Sequence, residues 1–439
     1  MNFRTIIITI ITSTLSFATI AQDMLQKDQA VAIAMENNFD IRISKMDVQV
    51  AQNNASFENS GYLPSITGTA GADYSNSNGE IVERSGATRE IKNNETTGLS
   101  ASIGVSYTIF DGFGRSNTYK KLQEDYRISE LQAREMIENT IISIFNSYYE
   151  VARLTQDVNN QKQTLNTSKV RLNRAQYGLE YGQGSQLDIL NAEVDYNNDS
   201  VTYLTNTQLL ENEKRNLNLL LGRDVHIDFQ VDTTLNYATN LLLDAMLVKA
   251  KENNVTLMQQ EAALRNSAIN IKNTSSSAVP KLTVNGSYGY NHNQFGATGF
   301  IDQSTGIGPS LGATLSWNIY DGGTTRTKRQ NSKIAHETQE INLKKEQLNI
   351  ERNLSNAWTA YQTALFVKSA QEKNLQTAQT NFERSEDQYK LGQITNIDFR
   401  QAQLNFLNAQ LALNQAKYSA KTAELFLLQI SGDLQQAQF

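Results

Sequence analysis

The chain has 439 residues, 39 Lys+Arg against 45 Asp+Glu, a net charge of −6 and no cysteine. The missing cysteine excludes disulfides, thiolate catalysis and thiolate metal sites, and the acidic balance argues against a nucleic-acid binder. Charged residues at 19% and hydrophobic residues at 39% exclude a disordered chain, and only 3 prolines leave room for long uninterrupted helices.

The N-terminus reads as an export signal. Arg4 supplies positive charge, residues 6–17 form a short apolar stretch, and Thr19-Ile20-Ala21 offers small residues around a cut after Ala21. The signal peptide is assigned to 1–21, and the mature chain begins outside the cytoplasm. No later run of 18 apolar residues occurs, so no transmembrane helix follows.

The rest is a duplicated half-molecule. Asp28, Pro64 and Tyr74 return as Asp244, Pro280 and Tyr290 at a spacing of 216. From Ile109 onwards the spacing is 210, so that Asp111, Gly182, Asp188 and Gly222 return as Asp321, Gly392, Asp398 and Gly432. The first repeat is assigned to 22–222, a linker to 223–240, the second repeat to 241–432 and a tail to 433–439.

Within each repeat a helix precedes a hairpin. Of 24 glycines, 18 fall in 61–114 and 286–323, which marks these windows as non-helical. Inside them the period is two: Leu99, Ala101, Ile103, Val105 and Tyr107 alternate with Ser100, Ser102, Gly104 and Ser106. Strands are expected at about 62–76 and 97–110, and again at 279–291 and 307–320, joined by polar loops. Long proline-free helices come next at 113–178 and 323–388, each roughly 100 Å at 1.5 Å per residue. After short breaks come helices at 186–221 and 396–430. In the last of these, Leu404, Leu407, Leu411, Tyr418, Leu425 and Leu428 form a heptad seam interrupted by Asn414 and Lys421, while Ala402, Ala409, Ala416 and Ala423 recur on another face.

Strands of about ten residues, apolar on one face and Ser/Thr/Gly/Asn on the other, are the pattern of an outer-membrane β-barrel. Four strands cannot close a barrel alone, and open edges in hydrocarbon leave backbone groups unsatisfied. A chain that spans a membrane this way must oligomerise, two copies giving eight strands and three giving twelve.

The duplicated order of helix, hairpin, long helix, break and helix resembles the TolC-like outer-membrane channel family of bacterial efflux and type I secretion systems. Also similar are the turns Phe110-Asp111-Gly112 and Tyr320-Asp321-Gly322-Gly323, and the breaks Tyr181-Gly182-Gln183-Gly184-Ser185 and Leu391-Gly392-Gln393-Ile394-Thr395. The resemblance covers essentially the whole mature chain. It implies a mainly α protein with a membrane β-barrel: a homotrimer whose chains each give four strands to a shared 12-stranded barrel in outer-membrane lipid. It also implies that the long antiparallel helices form a periplasmic α-barrel, docked through its tips to a periplasmic adaptor (a membrane fusion protein) coupled to an inner-membrane pump.

In that family, tyrosine and acidic residues near the second tip form the constriction of the gate, and Tyr389 and Asp398 match them. A family arginine falls at Ile394 and a second acidic position at Gln401, so a salt-bridged latch and a double acidic ring are absent from these positions. Read from the residues alone, Ser185-x-x-Asp188 and Thr395-x-x-Asp398 are capping boxes, and Gly182 and Gly392 are helix terminators. Gly182, Ser185, Gly392 and Thr395 are the candidate adaptor contacts. No Walker loop, nucleophile elbow or paired metal motif occurs, and His226, His292 and His336 are scattered. The expectation is a passive channel and not an enzyme, with no cofactor. The competing reading is an exported coiled-coil structural or adhesin-like surface protein, which leaves the hairpin in each repeat unexplained.

Overall fold

The structure, a computed structural model, describes residues 24–238, 241–296 and 301–434. The export signal assigned to 1–21 and most of the 433–439 tail lie outside them. The elements run β1 (Met24–Leu25), α1 (Lys27–Asn37), α2 (Phe39–Asn54), β2 (Ser65–Val82), β3 (Thr88–Phe110), α3 (Gly114–Glu180) and α4 (Gln186–Leu220). Then come β4 (Gln230–Val231), α5 (Leu243–Asn253), α6 (Val255–Ser276), β5 (Lys281–Gln294), β6 (Gln303–Ser316), α7 (Thr324–Lys390) and α8 (Asn396–Ser431). The chain divides into two units. One comprises 1–42, 137–249 and 353–439; the other comprises 43–136 and 250–352.

The second unit holds one antiparallel sheet in the order β2-β3-β5-β6. The alternation puts Ile66, Ala70, Ala72, Leu99, Ile103, Tyr288, Leu311 and Leu315 on one face. Ser and Thr fill the other, linked by Thr69–Ser102 (2.8 Å), Ser106–Asn285 (2.7 Å) and Ser287–Ser310 (2.8 Å). The apolar face is bare: Ile66, Ile103, Leu311 and Leu315 are all exposed. Along β3 it runs from Leu99 to Ile109, about 34 Å of strand, or about 26 Å once tilted by some 40°. That is the height of the apolar band of a membrane barrel.

The hairpins differ from their expected bounds in two ways. The first has no long loop at 76–97. β2 and β3 stay paired to Val82 and Thr88, and the stretch beyond Thr97 is a two-stranded ribbon, because β5 ends at Gln294. Polar residues on both faces erase the alternation there, although the backbone still pairs. A bulge interrupts it between Ser77 and Gly79, where Asn93 takes φ 51° and its N–H donates to Asn78 Oδ1 at 2.6 Å. In the second hairpin, 317–320 is not strand. Lys281↔Ser316 is the last pair, because Pro280 has no N–H to extend the ladder. The Trp317 indole N–H donates instead to Ala278 O at 3.2 Å.

Aspartates start both long helices. Asp111 Oδ2 accepts from Arg115 N (2.9 Å) and Asp321 Oδ2 from Thr325 N (2.8 Å), which satisfies otherwise orphaned donors.

The first unit packs Phe145, Tyr148, Val151 and Ala152 of α3 against Leu217, Leu221, Phe229, Tyr418 and Leu425. Residues 232–238 carry no regular secondary structure and are held to these helices largely by side chains. The Tyr148 hydroxyl donates to Leu25 O (2.8 Å) and accepts from Asp232 N (2.9 Å). Lys27 Nζ donates to Thr234 O, Lys421 Nζ to Asn236 O and the Tyr361 hydroxyl to Ala238 O. Lys421, one interruption of the α8 seam, also forms a buried ion pair with Glu424 at 2.7 Å. The other interruption, Asn414, donates to Asp157 Oδ1 at 2.9 Å.

Gly222 closes α4 at φ +68°, and a Cβ there would sit 2.3 Å from Asn37 O. Gly222→Ala is therefore expected to destabilise this unit by about 2 kcal/mol or more, read as a lowered thermal midpoint.

Candidate gate and docking site at the helix ends

Both long helices end through the same local chemistry. Gly182 (φ 71°) and Gly392 (φ 73°) take the left-handed conformation that only glycine adopts without strain. Gly182 N donates to Leu179 O (3.0 Å) and Gln183 N to Gly178 O (2.7 Å); Gly392 N donates to Tyr389 O and Gln393 N to Gln388 O. A Cβ at either position would meet nothing within 4 Å, so the backbone angle alone demands glycine.

The next helices begin with capping boxes. Ser185 Oγ accepts from Asp188 N (3.3 Å), while Asp188 Oδ2 accepts from Ser185 N (2.9 Å) and from its hydroxyl (2.7 Å). Thr395 and Asp398 repeat the arrangement at 3.2, 3.2 and 2.6 Å. Both carboxyls are held below the usual carboxylate range, first by the Ser or Thr hydroxyl and then by the backbone N–H. Asp398 stands exposed at its turn, and Asp188 is half-buried.

Tyr389 lies inside an aromatic stack. Its ring is 4.8 Å from Phe399 at an interplanar angle of 12°, and Phe399 stacks in turn on Phe382. The Arg174 guanidinium sits 4.7 Å from the Tyr389 centroid and donates to Lys390 O at 3.0 Å. Burial pushes the Tyr389 hydroxyl up, against the smaller opposing pull of Arg174 and Arg171. Tyr389, Arg174, Tyr177, Tyr181, Asp188 and Asn396 border a pocket of about 410 Å³ between the two turns.

Behind the turns lies a buried polar network that sequence reasoning missed. Arg171 of α3 donates to Asn396 Oδ1 (2.8 Å), Asp195 Oδ2 (3.0 Å) and Gln403 Oε1 (3.3 Å). Arg400 of α8 grips Asp199 of α4 with both terminal nitrogens, at 2.7 and 2.8 Å. Ser168 bonds the same carboxylate, and Gln403 Nε2 donates to Thr164 O at 3.0 Å. Three helices are thereby tied at one level. The available signal was periodic: Arg400 and Gln403 stand beside the heptad seam of α8, where an apolar helix has no other use for them.

Among the described residues no three His, Asp or Glu side chains gather as metal ligands, and no helix is long and apolar enough to cross a membrane.

Two long helix pairs joined to a membrane-facing hairpin in each repeat define a channel-forming fold. The profile of the family described as "Outer membrane efflux protein" matches residues 30–223 and 246–433, and the chain belongs to that family. It is 22% identical over 417 residues to the outer membrane efflux protein BepC of Brucella suis biovar 1, spanning 92% of this chain and 84% of that one. It is 19% identical over 425 residues to the outer membrane protein TolC of Escherichia coli K12, spanning 95% and 83%. Among solved structures it resembles the Campylobacter jejuni CmeC outer membrane channel, with a TM-score of 0.78, 15% identity and coverage of 93% and 86%. It also resembles the open state of the Neisseria gonorrhoeae MtrE channel, with a TM-score of 0.71, 16% identity and coverage of 93% and 89%. The protein is an outer-membrane protein of the efflux class whose helical part lies in the periplasm. Its relatives are channels and not enzymes, and the adhesin-like reading falls away.

Two outcomes test the tip chemistry. Arg400→Ala strands the buried Asp199 carboxylate and should cost about 3 kcal/mol, seen as faster amide exchange across 164–171 and 396–407. For the caps, the folded-state pKa values of Asp188 and Asp398 lie below the unfolded ones. Their contribution is complete above the unfolded carboxylate value of about 4 and disappears as pH falls through the folded value. Amide protection factors at the starts of α4 and α8 should therefore stay high at neutral pH and fall only below about pH 4.

Proposed function

We propose that the protein is the passive exit duct of a tripartite efflux pump or type I secretion system, working as a trimer. The observation that carries this reading is the bare four-stranded sheet. Its apolar face has the height of a membrane band, and β2 and β6 have no strand beside their outer edges among the described residues. Three copies make twelve strands, enough for a barrel with a passage lined by Ser, Thr, Asn and Gly.

The helix turns are the gate and the docking end. Tyr389 and Asp398 line the constriction. Gly182, Ser185, Gly392 and Thr395 meet a periplasmic adaptor, which links the duct to an inner-membrane pump. No nucleotide motif occurs in the chain, so energy comes from that partner, and opening is a shift between two packings of the turns. The stacked Tyr389–Phe399–Phe382 rings and the Arg174 contact supply a closed packing with aromatic and cation–π contacts to break.

Native mass in detergent tests the assembly: protein extracted from outer membranes should have the mass of three processed chains, and a soluble monomer would reject the duct. Asp398→Asn separates charge from cap, because the amide oxygen still accepts the backbone N–H. The purified channel should lose cation preference while α8 keeps its start; unchanged ion selectivity would remove Asp398 from the constriction. Ser185→Trp and Thr395→Trp should each abolish crosslinking to the adaptor.

A further inference from the structure

Directly below the apolar band, both long helices begin with positive charge that nothing in the chain answers. Residues 112–123 and 322–336 hold seven Lys or Arg and no Asp or Glu, in a chain whose net charge is −6. Neither helix has an acidic residue in its first turn. Arg115 pairs with Asp111 at 3.3 Å, but Lys120, Arg326, Lys328, Arg329 and Lys333 are exposed, and their side chains make no hydrogen bond or ion pair among the described residues. Cations at a helix N-terminus oppose the macrodipole, so these residues do not serve the helices that carry them. Across the repeat offset of 210 their counterparts are Gln330, Ser116, Thr118, Tyr119 and Gln123. Both copies keep the sign of the charge but not its position, which suits a diffuse anionic partner better than one fixed carboxylate.

The turns before these helices mark the level of a membrane interface. Phe110, Phe113, Trp317 and Tyr320 are all exposed, Tyr320 by 86%, and such rings sit at the depth of lipid headgroups. Phe113 takes φ 66°, the left-handed conformation that its repeat counterpart Gly323 holds at 88°. A bulky residue is strained there, yet its ring stays 70% exposed. From the helix starts, Lys120 and Lys333 are six and nine residues in, within about 14 Å along the axis, and long side chains shorten that reach.

Helical periodicity gives the side on which the charges stand. α6 meets α3 through Ala262, Arg265 and Asn266, and α7 through Ser267 and Thr274. At 3.6 residues per turn these two directions are about 130° apart, so the layer α3-α6-α7 curves around α6. Arg326, Arg329 and Lys333 fall within an arc of about 60° on α7, a quarter turn from its α6 contacts at Ser332 and His336. Lys120 lies a quarter turn in the opposite sense from the α6 contacts of α3 at Glu124, Asp125 and Leu131. On parallel helices flanking α6, opposite senses point to the same surface, and the handedness makes it the convex one. Lys328 falls on the concave side.

We propose that Lys120, Arg326, Arg329 and Lys333 form a basic collar that binds the phosphates of anionic phospholipid headgroups in the periplasmic leaflet of the outer membrane. The collar holds the depth of the sheet by charge where the aromatic turns hold it by amphipathicity. The proposal goes beyond the duct reading and requires only that the sheet lies in the membrane.

Spin-labelled lipid provides the test. The full protein is reconstituted into phosphatidylcholine vesicles carrying a trace of spin-labelled phosphatidylglycerol or phosphatidylcholine, and the motionally restricted fraction is read from the spectrum. Phosphatidylglycerol should be favoured at least about threefold at low salt, and the preference should fall in high salt. Lys120→Gln/Arg326→Gln/Arg329→Gln/Lys333→Gln should abolish it, the single Lys328→Gln should keep it, and Arg326→Lys/Arg329→Lys should keep it because the charge remains. Native mass in detergent and the far-ultraviolet spectrum report that each variant is assembled and folded. No preference in the unmodified protein, or a preference that survives in the folded four-site variant, overturns the collar. So does a four-site variant that alters the ion selectivity of the channel without altering lipid preference, since the charges then face the passage; that result leaves the duct reading standing.

Discussion

Backbone hydrogen bonding at the two edges of the sheet is the constraint on which the rest of the molecule depends. β2 and β6 each carry a row of N–H and C=O groups with no strand beyond them among the described residues, next to a face of Ile, Leu, Val and Tyr. In water such an edge is an aggregation hazard; in hydrocarbon each unpaired group costs several kcal/mol. An outer-membrane protein with four strands has one remedy, closure against further copies. The polar face has the same origin, since Ser, Thr and Asn suit a water-filled interior.

Strand ends then dictate helix starts. Pro64 and Pro280 stop the ladders, Asp111 and Asp321 cap the long helices, and glycines at 112, 322 and 323 take positive φ to turn the chain between strand and helix. From there α3 and α7 need only the absence of proline to continue for 67 residues each. Their termination is again local, a glycine in the left-handed region followed by a hydroxyl–aspartate box. The polar residues that break the apolar seam of α8 are not defects of the pattern. Arg400 and Asn414 find carboxylates on α4 and α3, and Lys421 donates to the linker carbonyl of Asn236, contacts that tie α8 to its neighbours at fixed positions.

What was legible in the sequence was whatever local chemistry decides. The alternation of Leu99 to Tyr107, the glycine clustering and the capping boxes at Ser185 and Thr395 each depend on residues within a few positions. What was hidden depends on distant pairing. The ribbon beyond Thr97 has polar residues on both faces, so period two vanishes although the hydrogen bonds persist. The ends of β5 and β6 were misplaced because Trp317-Asn318-Ile319-Tyr320 looks like strand, and only the missing donor of Pro280 on the neighbour stops it. The Arg171–Asp195 and Arg400–Asp199 pairs join helices separated by tens to hundreds of residues, and no spacing rule connects them. Resemblance to a channel family directed attention to Ile394 for a latch, while the paired charges stood at Arg400, six residues further along, and at Arg171, Asp195 and Asp199 on the neighbouring helices.

The order β2-β3-β5-β6 has a consequence for biogenesis. The central pairing joins Thr97 to Gln294, about 200 residues apart, while the β2–β3 hairpin alone is a marginal structure. As the chain emerges from the export machinery, its first hairpin must wait until two further helices, the linker and another helix pair have emerged after it. During that interval the apolar face of the first hairpin has no native cover. Loop closure of this length is slow, so the route to the membrane runs through a state whose exposed apolar face and open strand edge favour nonspecific association. Topology, and not final stability, sets how long that face stays open.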